Sequence, residues 1–129
     1  MRSFRDLDIW KEAHALRLEI YRISSSFPKE EKYNHTSQIR SSSSSVADLI
    51  AESHGRFHYA DKVRVLYQAR GEAEETRSQL SLASDLKYIS KKTFDELDVR
   101  YNNLCMRINK YIMSLNKKKQ INESQINRS

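Results

Sequence analysis

The chain has 129 residues and a mass of 15.2 kDa, which is one domain's worth of polypeptide around a single core. Its composition, 38% hydrophobic and 31% charged, contains no apolar run approaching the roughly 18 residues of a membrane span, and two glycines with one proline are too few to punctuate an all-β or α/β domain. Five of the six excess positive charges fall in residues 90–129, so a uniformly basic shell is excluded. Ile9, Ala13, Leu16, Ile20, Ile23 and Phe27 follow alternating steps of four and three residues, which predicts an amphipathic helix over about 6–25. Phe27-Pro28 closes it, because proline disfavours helical dihedrals at the preceding residue and suits the first turn of a new helix. The second helix is predicted over 30–55, with a seam of Ile39, Ser43, Val46, Ile50, Ser53 and Phe57, and with Gly55 at its end. The serine run Ser41 to Ser45 keeps helical phase with both flanks and reads as small side chains at a close helix crossing.

The third helix, over 58–87, carries Leu66, Ala69, Ala73, Thr76, Leu80 and Ala83 on one stripe. Gly71 interrupts it at a cost of about 1 kcal/mol relative to alanine, which suggests a packing reason. The fourth helix, over 91–115, has the most regular seam: Phe94, Leu97, Tyr101, Leu104, Ile108, Tyr111 and Leu115. Ser90 or Thr93 is its expected cap, the latter with Glu96 as capping-box partner. Short corners join the four helices, so the expected fold is all-α, an antiparallel up-down-up-down four-helix bundle over residues 1–115. Residues 116–129 are polar and basic and lack helical periodicity, and a disordered tail is expected there.

The spacing and order of several short pieces carry a family resemblance. Leu7-x-Ile9-Trp10, Ile20-Tyr21, Phe27-Pro28-x-Glu30, Gln38-Ile39-Arg40, Ser45-Val46 and Ile50-Ala51-Glu52 come first. Leu66-x-x-Ala69-x-Gly71, Glu75-x-x-x-Gln79-Leu80 and Leu86-x-Tyr88-Ile89 continue the series. Together they resemble the four-helix bundle proteins encoded in intervening sequences of bacterial 23S ribosomal RNA genes, over residues 4–115. The chain departs from that pattern in its second helix. Ser41 to Ser44 and Ala47 stand where an arginine, alanines and a proline are usual, Leu49 replaces an asparagine, and Ser53 replaces a glycine. If the arginines serve binding in relatives, only Arg40 and Arg56 of that set remain. The resemblance implies a ring-like homopentamer in bacteria with no catalytic activity. More distantly, the chain resembles the accessory proteins of diversity-generating retroelements, basic bundles that bind nucleic acid.

Residue chemistry gives little to an enzyme. No glycine-rich phosphate loop, nucleophile elbow or pair of catalytic carboxylates is present, so no catalytic residue and no cofactor is assigned. His54 and His58 stand four residues apart near Glu52 and Asp61, but Gly55 breaks the helix between them, and no metal site is expected. His14 and His35 are expected at surface or rim positions, and Cys105 as a small core side chain. Arg40 stands 17 residues before position 57 and Glu75 18 after it, so antiparallel helices bring them to one height and a cross-helix ion pair is expected. Gln38 and Gln79 read as polar spacers at seam edges.

The candidate nucleic-acid contacts are Arg100, Arg107, Lys110, Lys117, Lys118 and Lys119 at the C-terminal basic face, with Arg40 and Arg56 elsewhere. The expected function is non-catalytic binding of RNA or DNA by an oligomer; a scaffold for a protein partner is the alternative. The opening residues lack an apolar leader and Cys105 is the sole cysteine, so a cytoplasmic location is expected.

Overall fold

The computed structural model describes residues 3–128; Met1, Arg2 and Ser129, at the outer edges of the expected domain and tail, lie outside them. A 3-10 turn at Phe4–Asp6 leads into four helices: α1 (Asp8–Ser24), α2 (His35–Gly55), α3 (Tyr59–Asp85) and α4 (Lys91–Arg128). Each helix packs on its neighbours in the chain and α4 closes against α1, whereas the diagonal pairs do not meet. Side-chain contacts run in opposite directions along α2 and α3 and along α3 and α4. Gln79 donates to Gln38 and Thr76 to Ser42 across α2 and α3, and Arg70 reaches Asn109 while Arg77 reaches Asp98 across α3 and α4. The bundle is therefore antiparallel at these interfaces.

The predicted seams form the core. All six first-helix residues are buried, as are Leu66, Ala69, Ala73, Thr76, Leu80 and Ala83 of α3. In α4, Leu97, Tyr101, Leu104, Ile108 and Leu115 are buried, and Cys105 with Ile112 one heptad further on widens the stripe towards α3, where Cys105 meets Glu74. Helix ends follow local chemistry. The Ser90 hydroxyl accepts the Thr93 N–H at the start of α4, so Ser90 and not Thr93 supplies the cap. At the end of α3, Tyr88 N–H bonds the Ala83 carbonyl and Lys87 N–H that of Ser84, with Lys87 at φ 63°. This is a Schellman turn in which a lysine occupies the left-handed position usually given to glycine. Lys62 Nζ donates to the Ser53 and His54 carbonyls and thereby caps α2 from the next helix.

Several expectations change. The second helix starts at His35 and not near residue 30, because Pro28 leads first into a 3-10 turn at Lys29–Glu31. Phe57, placed on the seam, is 89% exposed, since α2 has already ended at Gly55 and the chain is extended at Arg56. A Cβ built at Gly71 meets nothing within 4 Å, so the packing reason expected there is not found within the chain. Residues 116–128, expected to be disordered, continue α4 to Arg128. No glycine or proline lies among them, and a helix already nucleated by its packed half extends without a new nucleation cost.

Candidate nucleic-acid interface

The serine run shapes the surface of the bundle from inside. Ser42 and Ser43 are buried in helical conformation, and their hydroxyls bond back to the Ile39 and Arg40 carbonyls. Thr76 completes the crossing with its hydroxyl 2.8 Å from that of Ser42. Ser42 thus serves a contact within the chain, between α2 and α3, while Ser44 lines a hollow with His14, Arg17, Leu18 and Tyr21 of α1.

The eight candidate cations fall into two groups. Three are engaged by neighbours. Arg100 donates to Glu12 of α1 at 2.7 Å, and this bond holds its guanidinium above the usual range. Arg56 pairs with Glu52 one turn back on α2. Arg40 turns to α1, with Nε donating to the Ser24 hydroxyl at 2.8 Å and its guanidinium 4.7 Å above the Tyr21 ring. The expected Arg40–Glu75 ion pair is not formed among the described residues. Equal height along two helices leaves rotation about their axes open, and Arg40 lies on the α1 edge of α2 whereas Ser42 lies on the α3 edge. Glu75 instead faces Glu72, whose carboxyl is pushed up by burial and by the hydrogen bond and charge of Glu75.

The other five cations, Arg107, Lys110, Lys117, Lys118 and Lys119, have no ion-pair partner among the described residues. Arg107 and Lys110 flank a shallow hollow of about 350 Å³ with Leu7, Asp8, Ile9 and Tyr111. Seven-residue steps from Arg100 to Arg107 and from Lys110 to Lys117, with Lys118 beside them, keep these residues along one side of α4. Lys119 departs from it, following the line of buried Ile112 and Leu115 past the end of the bundle. Lys117 and Lys118 are exposed on the helical overhang.

Other residues singled out by the sequence take structural places. His35, expected at the surface or rim, is buried between Phe27 and Tyr88, with Nε2 3.0 Å from the Gln79 carbonyl. Its position at the start of α2 hid this, because three aromatic groups from separate elements converge there. His14 stacks on Trp10 and accepts from Arg17. Among the described residues no group of three metal-binding side chains comes together. Cys105 is buried and donates to Glu74, and burial with that bond pushes its thiol up to about 12. The Arg77–Asp98 ion pair, at 2.8 Å, escaped the sequence reading because neither residue lies on a seam.

Residues 5–110, most of the bundle, match the family model described as 23S rRNA-intervening sequence protein. The chain belongs to that family. A solved structure with the same fold is that of a protein with unknown function from the S23 ribosomal protein family from Bacteroides thetaiotaomicron VPI-5482. It superposes with a TM-score of 0.75 at 21% identity, covering 81% of this chain and 95% of that one. None of the curated proteins matches the chain. The family match stops short of Lys117, so the basic overhang lies outside the region that defines membership. Among the described residues, no helix is long and apolar enough to cross a membrane.

Proposed function

We propose that the protein is a non-catalytic, oligomeric helical bundle of the cytoplasm that binds RNA or DNA weakly and without sequence preference. The basic side of α4 is the contact surface. The observation that carries this reading is the set of Arg107, Lys110, Lys117, Lys118 and Lys119 on one continuous helix, none with an ion-pair partner among the described residues. Each phosphate neutralised by such a cation releases condensed counterions, and this sequence-independent term dominates non-specific binding. Tyr101 is buried and Tyr111 half-buried, so this side of the helix offers phosphate contacts and not base stacking. A cyclic homo-oligomer, the pentamer implied by the family resemblance, repeats the basic side around a ring and adds avidity on a long polyanion.

Anisotropy of a fluorescently labelled single-stranded RNA, titrated with the protein at rising salt, tests the reading. Binding at low salt that fades at high salt is expected. No binding at low salt, or binding that ignores salt, overturns it. A second reading, a scaffold for a protein partner without nucleic-acid binding, draws on Val99, Met106 and Met113, which are exposed and stand one heptad apart on the outer side of α4. Absence of RNA binding would favour it.

A further inference from the structure

At the opposite end of the bundle from the basic overhang, the corner between α1 and α2 holds two adjoining surface hollows of about 360 and 450 Å³. They share Lys32, Thr36 and Arg40; Lys29 lines one and Tyr33 the other. No carboxylate lines either hollow. Among the described residues, none of the three cations has an ion-pair partner. Of the two acids between Lys29 and Lys32, Glu31 accepts from the Tyr88 hydroxyl and the Asn34 amide, and Glu30 has no ion-pair partner among the described residues.

The three cations are not equivalent. Arg40 is fixed by Ser24 and by the Tyr21 ring beneath it, with its Nη2 3.4 Å from the Tyr21 carbonyl. Such a guanidinium loses little freedom on meeting a ligand. Lys29 and Lys32 are flexible point charges at the rim. Tyr33 is 87% exposed, with the Lys32 ammonium 5.2 Å from its ring centre. A tyrosine so placed buries almost none of its apolar face within the chain. A cationic groove beside an exposed aromatic ring is the combination that holds unpaired nucleotides, phosphate on the cations and base on the ring.

We propose that this cleft binds an unpaired nucleotide, its phosphate held by Lys29, Lys32 and Arg40 and its base stacked on Tyr33. The inference is independent of the α4 reading. The packed part of α4, from Lys91 at the cleft end to Leu115, spans roughly 36 Å at 1.5 Å per residue, so the two surfaces are separable by mutation.

Anisotropy of a short labelled oligouridylate tests it with the full chain, its Tyr33→Ala and Tyr33→Phe variants, and the Lys29→Ala/Lys32→Ala double variant. Tyr33→Ala is expected to weaken binding about tenfold and Tyr33→Phe to preserve it, with circular dichroism unchanged in both. The double variant weakens binding and flattens its salt dependence. An abasic strand should compete poorly. UTP that displaces the oligouridylate identifies a pocket for a free nucleotide; displacement by unlabelled oligouridylate alone identifies a nucleotide within a strand. Wild-type affinity in Tyr33→Ala, or an abasic strand competing as well as oligouridylate, overturns the cleft. If only the Lys117→Ala/Lys118→Ala/Lys119→Ala variant loses binding, the cleft fails and the α4 surface stands; if only the Tyr33 and Lys29/Lys32 variants lose it, the reverse holds.

Discussion

The Thr76 hydroxyl lies 2.8 Å from the Ser42 hydroxyl, a buried polar link at the crossing of α2 and α3. Each hydroxyl has a second partner on its own helix, Ile39 for Ser42 and Glu72 for Thr76. Removing one therefore leaves the other satisfied. Ser42→Ala is expected to cost about 1 kcal/mol or less in urea unfolding, whereas Ser42→Leu forces the crossing apart at a cost of about 3 kcal/mol. Equal tolerance of both would contradict a close crossing.

Two backbone positions should respond in opposite senses to glycine. Lys87 sits at φ 63° in the Schellman turn after α3, so Lys87→Gly relieves strain and is expected to stabilise by about 1 kcal/mol. Gly71 is helical and exposed, and an added Cβ meets nothing, so Gly71→Ala gains about 1 kcal/mol of helix propensity. Chemical denaturation of each variant checks the pair. A loss in Gly71→Ala would mean that something outside this chain packs on that position.

Alkaline stability follows from two buried protons on α4. Tyr101 is fully buried and its hydroxyl has no partner among the described residues, and burial holds its phenol well above the usual range. The Cys105 thiol is held up to about 12, first by burial and then by Glu74. The folded chain keeps both protons at pH values where the unfolded chain has released them, so stability falls as pH rises. The fall begins near the unfolded values of 9.0 and 10.0. Tyr101→Phe also removes an orphaned hydroxyl, and is expected to be neutral or stabilising by about 1 kcal/mol at pH 7. Its alkaline loss should be shallower than wild type. An unchanged loss would contradict the assignment.

Assembly is read by light scattering after gel filtration. A mass several times 15.2 kDa is expected at micromolar concentration, and one near 15.2 kDa removes both the ring and its avidity.

The core was legible because apolar spacing of four and three residues fixes which side of a helix is covered; Ile9 through Phe27 and Leu66 through Ala83 show it. What escaped depends on relations between helices. Residue counts placed Arg40 and Glu75 at one height, but the rotation of α2 turned Arg40 to Ser24 of α1, and Glu75 is left beside Glu72 of its own helix. His35 is covered by Phe27 and Tyr88, which no local pattern joins to it. The overhang of α4 lacks an apolar stripe, and its helicity comes from the packed turns before it. The basic candidates were legible as charges, while which of them is neutralised, as Arg100 is by Glu12, required the fold.

The most direct test of the central claim is the slope of RNA affinity against salt for the wild type and for the Lys117→Ala/Lys118→Ala/Lys119→Ala variant. Each phosphate contact on single-stranded RNA contributes about 0.7 to the logarithmic slope. A salt-dependent wild type is expected, and a variant whose binding is weaker and whose slope is shallower by about 1.4, the share of Lys117 and Lys118 on the basic side. Wild-type affinity and slope in the variant would contradict it.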